Sequence, residues 1–491
     1  MDALIQWFAN QGGSFDTSAL TFAPIDGYGR GALALRDLPE GYTLFSLPRE
    51  LTLSTRTSSL LGRLGTSAWK EHGLHVGWAG LILCMMWEAA LGADSKWSAY
   101  LGLLPSSFDT PMFWTEEELM ELKATAVVDK LGKDQAEKDY REKIVPVLQS
   151  RPDLFPEDRA HHFSLESYHL MGSRILSRSF QVEKWDSGSD GEEDAPKASE
   201  SMDVDMSPAD ETASPSDEAH GETLIGNDDG GDDSDDEADP ADVAMVPMAD
   251  MLNARYESEN AKLFYEERDL RMATTKPLRA GEQILNTYAD LPNSYLLRQY
   301  GHVDLVPMPG GRFGNPADVV EVRADLAVVT VSELHPSQTE VAERVDWWLE
   351  EGGEDVFMLE TSHDLPEELI AFVRLLLMPT PEWQKVRQKS KLPKPKVDGY
   401  ILKVAVDMLR KRLAEYPTTL EEDEGLLSEE NVGSLSTNKK HAVVVRLGEK
   451  RILHGAVAKA EERLTEASGQ TKKRKADGAP EVRNSKKGAR R

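Results

Sequence analysis

Hydrophobic and polar positions along this 491-residue chain switch between two periods. Over residues 3–11, Leu4, Ile5, Trp7 and Phe8 share one face ahead of Gly12-Gly13, which predicts a short amphipathic helix. The period then shortens. Ala32-Leu33-Ala34-Leu35 and Leu44-Phe45-Ser46-Leu47-Pro48 flank Leu38-Pro39-Glu40-Gly41, the pattern of two strands joined through a turn. From 51 to 185 helical spacing dominates, with Trp78, Leu81, Ile82, Met85 and Ala89 on one stripe and Trp97, Tyr100, Leu101, Leu104 and Pro105 continuing it. Cys84 and its neighbouring methionines are therefore expected in a core. Trp114-Thr115-Glu116 ahead of Leu119 and Leu122 reads as a capped helix start.

Residues 186–240 break the pattern with Ser, Asp, Glu, Gly and Pro and few large apolar groups. Such a segment cannot bury enough surface to offset its ordering entropy, so a disordered loop inserted between two elements is expected. Periodicity resumes at residues 245–248, a buried strand or turn that presents Asp250 and Asn253 at its end. Residues 262–265 and 270–274 read as strands, and Leu278-Arg279-Ala280-Gly281-Glu282 as the turn before Ile284-Leu285. Asn286, Thr287 and Tyr288 then carry polar groups out of that strand. Pro292-Asn293-Ser294 precedes a short helix through Leu296, Leu297 and Tyr300 that ends at Gly301. A Pro/Gly-rich linker at 307–316 leads to a strand-like stretch at 319–331, and the reading is helical from Leu365 onward. There Leu402, Val406, Leu409 and Leu413 form one stripe, and Thr418-Thr419 ahead of Glu421-Glu422 gives an N-cap pattern.

Length and 40% hydrophobic content suit two or three domains with a sizeable core. One cysteine allows no intrachain disulfide and no cysteine zinc cluster, so no metal is expected and an intracellular compartment is. No apolar run approaches a spanning length and no leader pattern opens the chain, which predicts a soluble protein without a membrane partner. The formal net charge of -30 is uneven: residues 186–240 hold 21 Asp and Glu against one Lys, whereas residues 471–491 hold nine Lys and Arg against two acids. An acidic body disfavours a phosphate backbone, so no specific nucleic acid is predicted, and a basic, lysine-rich protein is the preferred partner.

Two stretches carry candidate chemistry. Asp26-Gly27-Tyr28-Gly29-Arg30-Gly31 places three glycines in five residues, which lets backbone approach a ligand closely. No helix follows at once, against a dinucleotide site. The second stretch holds Asp250-Met251-Leu252-Asn253, Gly281-Glu282, Tyr288, Asn293, and Leu296-Leu297 leading to Tyr300-Gly301. In that order and spacing it resembles the catalytic half of the SET-domain lysine methyltransferases, in the branch of Rubisco large-subunit lysine methyltransferase. Ser177-Arg178-Ser179-Phe180 resembles the branch's Ser-Arg-x-Phe element. Arg412-Leu413-x-x-Tyr416-x-Thr418-x-Leu420-Glu421-x-Asp423 and Arg446-Leu447-Gly448-Glu449-Lys450 resemble its C-terminal substrate-binding domain.

The resemblance implies an α+β fold: a SET-domain β-fold split by a helical insertion, then a mainly α-helical substrate-binding domain. Its parts would be 1–50 and 241–306 for SET, 51–185 for the insertion, 186–240 for the acidic loop, 307–466 for the substrate-binding domain and 467–491 for a basic disordered tail. It implies S-adenosylmethionine as methyl donor, bound by Asp26, Gly27, Tyr28, Ser177, Arg178, Asn253, Ala254 and Tyr288. Tyr288 and Tyr300 would be catalytic, and Asp250 and Tyr300 would face the substrate lysine. Glu282 would be a structural hydrogen-bonding group. Two positions depart from many relatives, which have Asn-His where this chain has Asn253-Ala254 and Tyr-Gly where it has Tyr288-Ala289. The Asn-Ala form resembles the fungal ribosomal lysine methyltransferase 4 group, which implies monomethylation of a large-subunit ribosomal protein. Methylation of histones or transcription factors, and a catalytically silent acidic binding protein, are the competing readings. Lys472-Lys473-Arg474-Lys475 suggests a nuclear import receptor as a further partner and a nuclear location, with the cytoplasm as an additional one.

Overall fold

Strands from two distant parts of the chain are interleaved in the same sheets. The computed structural model describes residues 1–25, 29–184, 239–287, 290–308, 311–334 and 340–477. The chain packs as two units, Met1–Phe108 with Gly132–Asp290, and Asp109–Leu131 with Leu291–Arg491.

The first unit holds strands β1 (Ser14–Phe15), β2 (Leu20–Ile25), β3 (Gly29–Ala34), β4 (Thr43–Pro48), β5 (Ser179–Gln181), β6 (Val243–Met245), β7 (Ala261–Tyr265), β8 (Asp269–Thr274) and β9 (Gln283–Ile284). They form sheets in the orders β1-β4-β8-β7, β2-β3-β9 and β5-β6. Every pair is antiparallel. The turns Leu38-Pro39-Glu40-Gly41 and Leu278-Arg279-Ala280-Gly281 are near copies, and Leu38 and Leu278 exchange two backbone hydrogen bonds of 2.9 Å. Gly41 and Gly281 both have positive φ, at 77° and 87°, which only glycine adopts without strain. Glu282 Oε2 accepts from the Arg279 N–H at 3.0 Å, closing the second of these turns as a structural group.

The helix Ala79–Leu91 is apolar nearly all round and buries Cys84, Met85 and Met86 in the core of this unit, alongside Phe8, Phe45 and Met272. Burial pushes the Cys84 thiol up to about 12, so it serves as packing. The helix Asp2–Asn10 buries Leu4 and Phe8, matching its sequence stripe.

The second unit holds β10 (Val306–Met308), β11 (Arg312–Gly314), β12 (Val319–Arg323) and β13 (Val356–Glu360), paired β10-β11 and β12-β13. The strand-like stretch at 319–331 is a strand only as far as Arg323; Ala324–Leu334 is a helix. Ala327, Thr330 and Val331 face inward at helical spacing, and Thr330 returns its hydroxyl to the Leu326 carbonyl at 2.7 Å, so packing overrides the β-branched composition. Residues 109–131 lie in sequence within the stretch expected as the helical insertion, yet they pack here: Trp114, Leu122 and Val127 share a cluster with Leu297, Ala442 and Val445. Periodicity reveals that a stripe is buried but not which core receives it. The helix Asn293–Tyr300 likewise belongs to this unit. Capping boxes start the helices Glu116–Met120 and Leu420–Leu426 at Thr115 and Thr419, where the sequence placed caps. The last helix runs Thr437–Asp477, so the backbone of residues 467–477, expected in a disordered tail, is helical.

Candidate active site

Four short pieces of the first unit bring their polar ends together. The helix Leu165–Arg178 ends at Arg178, where β5 begins. Strand β6, its partner, feeds the turn Ala249–Met251, entered through Met248 at φ 73°. Arg178 Nη1 donates to the Asp250 carbonyl at 2.6 Å. The Asp250 side chain is 4% exposed, and its Oδ2 accepts from the Tyr100 hydroxyl at 2.8 Å. Asn253 bridges in parallel to Leu285 and accepts from the Asn286 N–H at 2.9 Å, tying this turn to the strand that delivers Thr287.

These pieces enclose a cavity of about 350 Å³, lined by Gly29 and Arg30 of β3, residues 103–105, and Tyr100, Arg178, Asp250 and Asn253. Three buried atoms of lining residues have no hydrogen-bond partner among the described residues: Arg178 Nε, Asp250 Oδ1 and Asn253 Nδ2. Orphaned buried polar atoms cost free energy unless a ligand satisfies them. Two donors and one acceptor, among them a guanidinium and a carboxyl, match the carboxylate and ammonium ends of a zwitterionic amino-acid group. Gly31 of β3 fits the same arrangement. A Cβ at Gly31 would lie 2.7 Å from Asn253 Nδ2, so glycine lets β3 run against the asparagine.

Burial lifts the Asp250 carboxyl to about 6, against the Arg178 charge and the Tyr100 hydrogen bond, which pull it down. Burial and the neighbouring carboxyl push the Tyr100 phenol well above its ordinary value, and burial brings Arg174 down to about 10.

Arg178 and Asn253, expected at the methyl donor, line one cavity together with Asp250, which was expected to face the substrate lysine. The Ser177 hydroxyl donates to the Ser173 carbonyl at 2.8 Å within its own helix, while Arg178 lines the cavity. Ala254 is buried beside Asn253. Asp26, Gly27, Tyr28 and Tyr288 lie outside the described residues, as does Ala289. Tyr300 closes the helix Asn293–Tyr300 in the second unit, 5.9 Å from the His302 ring. That helix is held at its start by Asp318, which accepts the Asn293 N–H at 2.8 Å, and Asn293 Oδ1 accepts the Asp304 N–H at 2.7 Å. Tyr100 lies in an apolar stripe that points to the core, which conceals its place in the cavity lining. Its signal was a hydroxyl inside an apolar run, and Asp250 sits in another; each needed a buried partner.

Comparison with known proteins decides what this arrangement belongs to. Human N-lysine methyltransferase SETD6 is 30% identical over 458 residues, spanning 87% of this chain and 83% of the human protein. The chain belongs to the SET-domain protein-lysine methyltransferases. The enzyme also matches ribosomal lysine N-methyltransferase 4 of Saccharomyces cerevisiae, 29% identical over 322 residues, 65% of this chain and 56% of the yeast protein. Residues 335–453 match the Rubisco LSMT substrate-binding family, so the C-terminal, mostly helical region is the substrate-binding domain of this branch and the partner is a protein substrate. The SET domain of LSMT bound to lysine and AdoHcy shares the fold over 98% of this chain and 96% of that one, with a TM-score of 0.63 at 18% identity. Rubisco LSMT bound to AdoMet gives 0.62 at 18%.

Proposed function

We propose that the enzyme transfers one methyl group from S-adenosylmethionine to the side-chain amine of a lysine on a large-subunit ribosomal protein. The observation that carries the donor assignment is the cavity with its three orphaned polar atoms on Arg178, Asp250 and Asn253. Their chemistry suits the amino-acid end of S-adenosylmethionine, and structural neighbours were solved with AdoMet or AdoHcy. The ribosomal substrate is supported by the yeast relative and by the acidic charge balance, which favours a basic partner.

Bound there, S-adenosylmethionine supplies an electrophilic methyl carried on a sulfonium. Arg178 and Asn253 would hold its amino-acid end, and β3 at Gly29 would let it lie close to backbone. The acceptor lysine must arrive neutral, although a free lysine titrates near pH ~10.4, so the protein has to favour the uncharged amine. Tyr288 and Tyr300 are the residues we assign to orienting it. The donor would supply its methyl carbon to the amine lone pair and be left as a neutral thioether, and the methylated ammonium would lose one proton. Orientation of the two reactants supplies several kcal/mol of the barrier reduction. We further propose nuclear import through a receptor that reads Lys472-Lys473-Arg474-Lys475.

The test is labelled methyl transfer to ribosomal proteins from cells lacking the enzyme, with wild type, Asn253→Ala and Tyr288→Phe. One labelled large-subunit band, absent with Asn253→Ala and reduced or altered in methylation state with Tyr288→Phe, is the expected result. Label on histones or other nuclear proteins instead would replace the ribosomal substrate. No label anywhere from folded protein would overturn the reading.

A further inference from the structure

Asp250 is an expensive residue to place where it is. Its side chain is almost wholly removed from water, Oδ2 is taken by Tyr100, and Oδ1 is without a partner among the described residues. A buried carboxylate with an unsatisfied oxygen is destabilising. The packing does not call for the charge: an asparagine would accept the Tyr100 hydroxyl equally well, and Arg178 binds the Asp250 backbone carbonyl, not its side chain. A charge retained at a cost in a ligand cavity is there for the ligand.

We propose that the Asp250 carboxylate, oriented by Tyr100, makes the donor cavity select by charge, favouring the sulfonium donor over the neutral thioether left after transfer. The proposal rests on the assignment of this cavity to S-adenosylmethionine. Donor and product share adenosine and the amino-acid end; they differ by one methyl and one positive charge at sulfur. A fixed anion attracts the ammonium that both ligands carry, which cancels in their ratio, and the sulfonium that only the donor carries; in a partly dry site that one charge is worth roughly tenfold in relative affinity. The consequence is directional, because the cavity then releases its product more readily than its substrate.

Tyr100 is a positioning residue here. It stacks on Trp7 with ring centroids 6.4 Å apart and planes 8° from parallel, which holds the hydroxyl against Asp250. Among the described residues, the charged and titratable groups around Asp250 are Tyr100, Arg178 and Arg174 of the helix Leu165–Arg178, and Arg30 of the cavity lining. Arg174 is engaged with the Pro105 carbonyl at 3.0 Å. With its carboxyl lifted by burial to about 6, Asp250 is charged at pH 7.5 and neutral at pH 5. The selectivity therefore fades as pH falls through that value.

Calorimetry on the full chain, with S-adenosylmethionine and S-adenosylhomocysteine and no lysine substrate, measures the ratio of the two Kd values. Asp250→Asn is expected to shift the ratio about tenfold towards the thioether at pH 7.5. Wild type shows the same shift on going from pH 7.5 to pH 5, while the Asp250→Asn ratio stays flat. Tyr100→Phe removes a hydrogen bond that stabilises the ionised carboxyl, so its transition moves to higher pH. A purely structural role would weaken both ligands together and leave the ratio alone. The proposal is overturned if wild type and Asp250→Asn give the same ratio, or if the wild-type ratio does not change with pH. The wild-type pH series decides the matter even if a variant fails to fold. Failure of either ligand to bind wild type would instead remove the donor assignment itself, and the proposal with it.

Discussion

At Gly31 the backbone of β3 passes close to two amide side chains. A Cβ there would sit 2.7 Å from both Asn253 Nδ2 and Gln283 Nε2 and 2.9 Å from Ile25 Cγ1, distances that force something to move. Gly31→Ala should therefore displace Asn253 and weaken S-adenosylmethionine binding at least tenfold in calorimetry, at a cost in stability of about 1–3 kcal/mol. Asp250 gives the opposite stability sign. A carboxyl whose folded value, about 6, stands above the ordinary 3.8 stabilises the fold when protonated, and that contribution is lost as pH rises through 6. Asp250→Asn should raise the Tm of ligand-free protein at pH 7.5, by up to about 3 kcal/mol in stability. The gain should shrink as pH falls towards 3.8.

Among the elements, the contact between the helices Leu420–Leu426 and Thr437–Asp477 is held by buried charge. Asp423 pairs with Arg446 Nη2 and Lys450 Nζ, each at 2.7 Å, with all three side chains no more than 1% exposed. Burial pushes the Asp423 carboxyl up, but the hydrogen bonds from Arg446 and Lys450 outweigh it and leave the group below its ordinary value. Its stabilisation is present above the ordinary carboxylate range and is lost as pH falls through the lowered folded value. Asp423→Ala leaves Arg446 with Glu121 as its carboxylate partner and Lys450 with only the Thr418 and Thr419 oxygens, and should cost about 3–5 kcal/mol in denaturant unfolding. Thr419→Ala, which removes the cap of the same short helix, should cost only about 1 kcal/mol. Comparable losses from the two would mean that the ion triad is not what fixes this contact.

For the whole molecule, charge is the property that reaches furthest. Residues 186–238 carry 20 Asp and Glu against one Lys, and the strands that flank them, β5 and β6, are paired with each other. Replacing 186–238 by a short neutral linker should leave the Tm unchanged while weakening the salt dependence of KM for a basic protein substrate. Screening over about 8–10 Å at moderate salt makes ionic strength the direct probe. An unaltered salt response would assign substrate attraction to the folded units instead.

The sequence by itself determined the local elements, because periods of two and 3.6, glycine turns and Thr-x-x-Glu caps are set by a few neighbouring residues. The strands β3, β4, β7 and β8, the helix Asp2–Asn10 and both capping boxes follow from such patterns, whereas the pairing of β3 with β9 and of β4 with β8 does not. Ordered motifs added the family, and named Arg178, Asp250 and Asn253 as candidates before any contact was visible. Tertiary structure alone decided which stripe meets which core, so residues 109–131 joined the second unit, and where 319–331 turns from strand to helix. It alone decided that Tyr100 meets Asp250, 150 positions away, and that the Ser177 hydroxyl turns back on its own helix. The physical reason is common to these cases. A buried polar group must find a partner, and the chain supplies that partner through space, at a separation that no local pattern records.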